Sequence, residues 1–234
     1  MFYEFDSETK KDEPQYKLYY FNGNGRAIII RAILYYSNTN FSDVKITKED
    51  WAKLKNTGKF DSEDLPVMEH KGKLYSQMHA IEQYLGYTFN IHGKNMEDEY
   101  QINCLLDSFD DLFTIFKHFT WPESEEDKEH IKDYEKAFKS KLAFFVSILE
   151  KKFKDKGKYF LGDYFSLADI FITTVLVNFG EKLECENIIK EQGPNIAELI
   201  DRIKNNELKN FFEKGYIKEP LNIFIRKVSA RSSL

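Results

Sequence analysis

The chain has 234 residues, 42% of them hydrophobic and 31% charged, with 34 basic against 39 acidic side chains and a formal net charge of −5. That length buries a real core in one large or two small domains, and the acidic balance argues against a general nucleic-acid binder, which needs a basic excess to displace counterions. No apolar run approaches the ~20 residues that span a bilayer, and two cysteines, Cys104 and Cys185, cannot build a disulfide-rich scaffold or a four-cysteine zinc site.

The first 15 residues are polar and mostly acidic. They lack the basic start and apolar stretch of a secretory signal and the Arg-rich look of an organelle presequence, so the expectation is a cytoplasmic protein with an N-terminal extension over 1–15. Lys17–Phe21 is rich in β-formers and stops at Asn22-Gly23-Asn24-Gly25. Arg26–Tyr36 carries Ile, Ala and Leu at helical spacing. Phe41–Ile46 reads as a strand, Val67–His70 and Lys73–Tyr75 as a hairpin turning at Lys71-Gly72, and Met78–Leu85 as a helix with one apolar face. The order is β-α-β-loop-β-β-α, with a helical turn over Asp50–Lys55 inside the loop. Gly93, Asn90 and Asn95 interrupt the pattern between Tyr87 and Asn95, and from Met96 the strand signals vanish. Glu97–Phe119, Glu125–Phe153 and Leu167–Leu183 are long periodic segments, and shorter helices fit Ile196–Lys204 and Leu208–Lys214. Lys151–Lys158 reads as a solvated helix end. The expected architecture is α+β in two domains: a thioredoxin-like βαβαββα domain over 16–87, an all-α bundle over 96–219, and a mildly basic tail over 220–234.

Few patterns carry chemistry. Gly23-Asn24-Gly25 between a strand and a helix invites a dinucleotide reading, but Ile28 stands where the third glycine belongs. The turn still aims free backbone N–H groups of the following helix at the end of the first strand. Leu65-Pro66-Val67 is either a cis proline whose preceding residue offers its backbone to an extended peptide, or an ordinary loop proline entering an edge strand. Trp51 and Lys55 lie four apart on one helical face, either converging on a carboxylate or as packing beside a solvated lysine. Ser166 and Asp169 have the form of a capping box, which is structural. No C-x-x-C, H-E-x-x-H, P-loop or G-x-S-x-G occurs, and Cys104 and Cys185 read as inert buried thiols. A thiol at this site must therefore arrive with the substrate, and no metal is expected.

These pieces, in this order, resemble the cytosolic glutathione transferases, the sigma class most closely. The match runs from Tyr16 to about Phe212. It rests on Leu18-Tyr19-Tyr20-Phe21 with Gly25-Arg26-Ala27, on Asp50-Trp51 with Leu54-Lys55, on Leu65-Pro66-Val67, on Gln77 opening a helix, and on Phe160-Leu161-Gly162-Asp163 with Ser166-Leu167-Ala168-Asp169. The resemblance implies a homodimer and a glutathione site. Tyr20 would donate its hydroxyl to the glutathione sulfur, with Tyr19 pointing to the opposite face. Trp51 and Lys55 would clamp the glycine carboxylate with Arg26 nearby. Leu65, ahead of Pro66, would pair with the cysteinyl backbone, and Gln77 would meet the γ-glutamyl end. Phe21 and Phe113 would line the electrophile pocket. The chain departs from the pattern at Met78, where a serine hydroxyl is usual, at Asp64, where glutamine is common, and at Asn103, where a partner-subunit aspartate often meets the γ-glutamyl amine. These departures leave two readings open. One is a transferase that activates glutathione for conjugation, isomerisation or reduction of small electrophiles. The other is a transferase-like structural or assembly subunit, part of a larger complex, with a degraded site.

Overall fold

The computed structural model describes residues 13–60, 62–153 and 157–218; most of the N-terminal extension and the tail from residue 219 lie outside them. Four strands, β1 (Tyr16–Phe21), β2 (Phe41–Ile46), β3 (Val67–His70) and β4 (Lys73–Ser76), form one sheet in the order β2-β1-β3-β4. β2 runs parallel to β1, pairing Tyr20 with Lys45, while β3 runs antiparallel to β1 and to β4. The parallel pair needs a crossover, which a turn of 3-10 helix at Gly25–Ala27 and α1 (Ile28–Tyr36) supply. The hairpin turns at Lys71 and Gly72, both at positive φ, the geometry that suits the right-handed strand twist.

Every residue from Ile28 to Leu34 is buried, so α1 is covered on all sides. It packs against α3 (Met78–Thr88), α7 (Leu167–Leu183) and a turn of π-helix at Phe211–Gly215. The stretch read as a loop after β2 contains α2 (Lys48–Leu54), because the Thr47 hydroxyl accepts the Asp50 N–H at 3.0 Å and caps it.

Beyond Asn95 the regular elements of the described residues are helices: α4 (Met96–Thr120), α5 (Glu125–Glu129), α6 (Ile131–Phe153), α7, α8 (Glu186–Gln192) and α9 (Pro194–Asn205). The segment expected as one helix from Glu125 breaks at His130, and Ser124 and Asp127 close a capping box of their own ahead of the break. The segment expected as a helix at Leu208–Lys214 widens into the π turn, where a Cβ on Gly215 would run into the Tyr35 ring. Phe116, Phe119, Phe138 and Phe179 interlock between α4, α6 and α7, with Phe138 and Phe179 centroids 5.0 Å apart edge-to-face. Much of the aromatic share is therefore helical core.

Asp169 anchors α7. Its carboxylate accepts the Ser166 N–H at 2.9 Å, the Ser166 hydroxyl at 2.9 Å and the Phe160 N–H at 2.8 Å, tying the Phe160–Ser166 loop to the helix start. Of the two thiols, Cys185 is buried and pushed up to about 11 by that burial. Cys104 is only half-buried, in a shallow groove of about 250 Å³ between α4 and α6, which corrects the expectation that both are buried.

Candidate active site

The end of β1 and the turn after it are held by one side chain. Arg31 on α1 is fully buried; its Nε donates to Asp43 Oδ2 at 2.9 Å, Nη1 to the Gly23 carbonyl at 2.6 Å, and Nη2 to the Phe21 carbonyl at 3.3 Å. Asn24, also buried, pairs with the Ile217 backbone through both amide atoms, at 3.1 Å each, and donates to Asn178 Oδ1 at 3.0 Å. Residues 21–24 are thus pinned to β2, to α7 and to the chain past the π turn.

This frame aims the following turn at Tyr20. Alternation along β1 sends neighbouring rings to opposite faces. The Tyr19 hydroxyl donates to Glu69 Oε2 at 2.8 Å, and its ring meets Phe60. The Tyr20 ring lies under the Arg31 guanidinium, 5.6 Å from its centroid, and its hydroxyl accepts the Arg26 backbone N–H at 2.9 Å. Tyr20 is 8% exposed. Burial raises its pKa, while the Arg26 N–H and the charges of Arg31 and Arg26 oppose that rise. The phenol is therefore protonated at neutral pH and able to donate, with the Arg26 N–H polarising its oxygen. Gly25, at φ +38°, makes the approach possible, since a Cβ there would sit 2.5 Å from the Tyr20 hydroxyl.

The Arg26 side chain reaches the helical half. Its guanidinium lies 5.6 Å from the Phe113 centroid and pairs with Asp110 at 3.2 Å, both on α4. Phe113 stacks on Phe109, and the Phe21 ring lies 5.6 Å from Tyr20. Tyr20, Phe21, Arg26 and Phe113 thus come together in one place.

The other expected residues make other contacts. The Leu65–Pro66 bond is cis, and Val67 directly after it pairs with Tyr19 and Ser76, so the proline leads into an inner strand and not an edge strand. Gln77 is exposed at φ +69°, rarely adopted by residues with a Cβ, and leaves the α3 N-terminus uncapped by any side chain. Met78 is buried and opens α3. Trp51 is buried with its ring 5.5 Å from Phe60, and Lys55 is exposed in the turn after α2. Asp64 is exposed beside Ser62, and the Asn103 side-chain oxygen accepts from Gln83 on α3 at 2.6 Å.

His79, Glu82 and Asp110, like Arg31, were not singled out from the sequence. His79 Nδ1 meets Glu82 Oε2 at 2.9 Å, and His79 Nε2 meets Asp110 Oδ2 at 3.1 Å. Histidine and glutamate three apart on a helix was a legible signal; the α4 partner was not.

A tyrosine at the end of a thioredoxin-like β1, a cis proline before β3 and a helical bundle supplying an aromatic wall define a glutathione-transferase type of chain. A family model described as "Glutathione S-transferase, C-terminal domain" matches residues 110–215. The chain is 31% identical to S-crystallin SL11 of Nototodarus sloanii over 81% of its own length and 91% of that protein's. It is 34% identical to glutathione S-transferase 3 of Caenorhabditis elegans over 78% and 91%, and 32% identical to hematopoietic prostaglandin D synthase of Rattus norvegicus over 70% and 81%. Among solved structures, prostaglandin synthase D of Nilaparvata lugens superposes with a TM-score of 0.72 at 28% identity, covering 87% of this chain and all of that one. Monomeric Na-GST-3, a glutathione S-transferase of Necator americanus, gives 0.74 at 25% identity, with 88% and 100% covered. The chain belongs to the cytosolic glutathione transferase family and is sigma-like.

Proposed function

We propose that this protein is a glutathione transferase in which the Tyr20 hydroxyl holds the glutathione sulfur as the thiolate, for attack on a small apolar electrophile or for isomerisation or reduction of one. The observation that carries the reading is the Arg26 N–H donating to the Tyr20 hydroxyl at 2.9 Å, beside the Arg26–Phe113 wall. Glutathione's thiol is mostly protonated near neutral pH, and only the thiolate is a strong nucleophile. A phenol that donates to sulfur while its own oxygen accepts from an N–H favours the charged form. Leu65 would pair its backbone with the cysteinyl unit, Trp51 and Lys55 would take the glycine carboxylate, and Gln77, the Met78 N–H and a partner's Asn103 would take the γ-glutamyl end. Phe21 and Phe113 would face the electrophile. The test is conjugation of 1-chloro-2,4-dinitrobenzene by Tyr20→Phe, which removes the donor and keeps the ring. Loss of most of the rate supports the assignment, and an unchanged rate removes Tyr20 from the mechanism.

We read the domain layout as a thioredoxin-like unit over 16–87 and a helical unit over 96–219, and the working form as a cytoplasmic homodimer. The family resemblance carries the dimer, and Tyr87, Met96, Tyr100 and Phe144, all more than half exposed, are the large apolar side chains available to its seam. Sedimentation at micromolar concentration distinguishes 27.8 kDa from twice that mass.

A further inference from the structure

Glu82 is a carboxylate with 0% exposure on the inner face of α3, beside Ile81 and Leu85 of the core. One oxygen, Oε2, meets His79 Nδ1; the other, Oε1, has no hydrogen-bond partner. A buried carboxyl satisfied on one side only is costly, and a general structural role does not call for one. Its partner ring leads outward instead of inward, from His79 Nε2 to Asp110 on α4 and from Asp110 Oδ1 to the Arg26 guanidinium at 3.2 Å. Arg26 is the residue whose backbone meets Tyr20 and whose side chain lies over Phe113. The charged groups facing the imidazole are Glu82 from its own helix, Asp110 from α4 and, across Asp110, Arg26 from the turn after β1.

We propose that His79 is a positioning residue that sets, through its own protonation, how firmly Asp110 holds Arg26 at the rim of the electrophile pocket. The proposal rests on the transferase reading above for its effect on turnover, but not for the coupling itself. The charged ring donates from both nitrogens, to Glu82 and to Asp110. On deprotonation the proton that leaves is the one on Nε2, because Glu82, sealed in the core, has no other donor for Oε2. A lone pair then faces the Asp110 carboxylate and repels it. Asp110 turns its charge onto Arg26, and the guanidinium shifts relative to Phe113. Burial pushes the Glu82 carboxyl up to about 7; burial lowers the His79 pKa, but the bonds and charges of Glu82 and Asp110 outweigh it and the net shift is upward.

The coupling is tested without glutathione. The Arg26 Nε–H resonance, identified by its loss in Arg26→Lys, is followed by NMR from pH 5 to 9 beside the His79 ring resonances. The proposal expects Arg26 to shift with the His79 midpoint, and to stay flat in the double variant His79→Leu with Glu82→Leu, which leaves no unpaired buried charge. Glu82→Gln, which keeps an acceptor for Nδ1, is expected to lower the His79 midpoint by about one pH unit. An Arg26 resonance that does not titrate with His79, or titrates equally in the double variant, overturns the proposal whatever the protein's activity. In turnover, an exposed ion pair is worth a few-fold at most, so KM for 1-chloro-2,4-dinitrobenzene is expected to vary about threefold between pH 6 and 8 in the wild type. It is expected to be pH-independent in the double variant, with KM for glutathione moving the same way in both. Absence of any turnover in the wild type would count against the transferase reading and leave the NMR result standing.

Discussion

Replacing Arg31 with methionine removes the clamp on the Phe21–Asn24 turn while keeping much of the side-chain volume. The guanidinium is fully buried and makes two bonds to Asp43, at 2.9 and 3.3 Å, and one each to the Gly23 and Phe21 carbonyls, at 2.6 and 3.3 Å. Breaking a buried ion pair by deleting one partner costs about 3–5 kcal/mol, because the other charge stays behind without compensation. Asp43 is 21% exposed and keeps Lys45 at 2.5 Å, which discounts its share. The freed Gly23 carbonyl adds about 1 kcal/mol or more, while the Phe21 carbonyl keeps the Gly23 N–H at 2.9 Å. The expected loss is about 3 kcal/mol, read by equilibrium urea unfolding with the slope unchanged. Arg31→Met combined with Asp43→Leu removes the stranded charge, so the double variant is expected to recover part of that loss. A single-variant loss under about 1 kcal/mol would refute the claim that this arginine holds the turn.

Asp169→Ala strands two backbone donors, Phe160 and Ser166, and is expected to cost about 2–4 kcal/mol, seen as a lower melting temperature with glutathione affinity reduced less than stability. Gly25→Ala forces a Cβ against the Tyr20 hydroxyl at positive φ, so the rate of aryl-halide conjugation is expected to fall more than stability, which should drop by about 1–2 kcal/mol. Glu82 and His79 both have raised pKa values in the fold, so they bind protons more tightly there than in the unfolded chain. The contribution of Glu82 is full below the ordinary carboxylate range and is lost as pH rises through about 7, and that of His79 is full below the ordinary histidine value and is lost as pH rises through its raised one; unfolding free energies for Glu82→Gln are expected to show a shallower decline on the rise to about 7.

What the sequence disclosed follows from the range of the interactions involved. β1 and the turn after it were legible because Asn22-Gly23-Asn24-Gly25 punctuates a β-rich run, and α7 because Ser166 and Asp169 mark its start three residues apart. α8 was missed: it has seven residues, and the two adjacent isoleucines of Glu186–Gln192 make no helical period. Within the site, the family resemblance singled out Tyr20 and strand alternation turned Tyr19 to the opposite face, and the structure gives them different faces and partners. Arg31 and Glu82 were passed over although each is a charge inside an apolar helical face, a pattern that asks for a buried partner. Their partners, Asp43 and Asp110 through His79, are set by how the elements pack and leave no mark in local spacing.

The most direct test of the account is the acidity of the glutathione thiol when bound. The thiolate absorbs in the ultraviolet, so titrating that band in complexes with the wild type and with Tyr20→Phe reads the thiol pKa in place. A hydrogen bond to a charged acceptor is worth about 1.5–3 kcal/mol, which corresponds to about one to two pH units. The bound thiol is expected to be more acidic than free glutathione in the wild type, and its pKa to rise by about that size in Tyr20→Phe. A bound thiol titrating at the same pH in both proteins would contradict it.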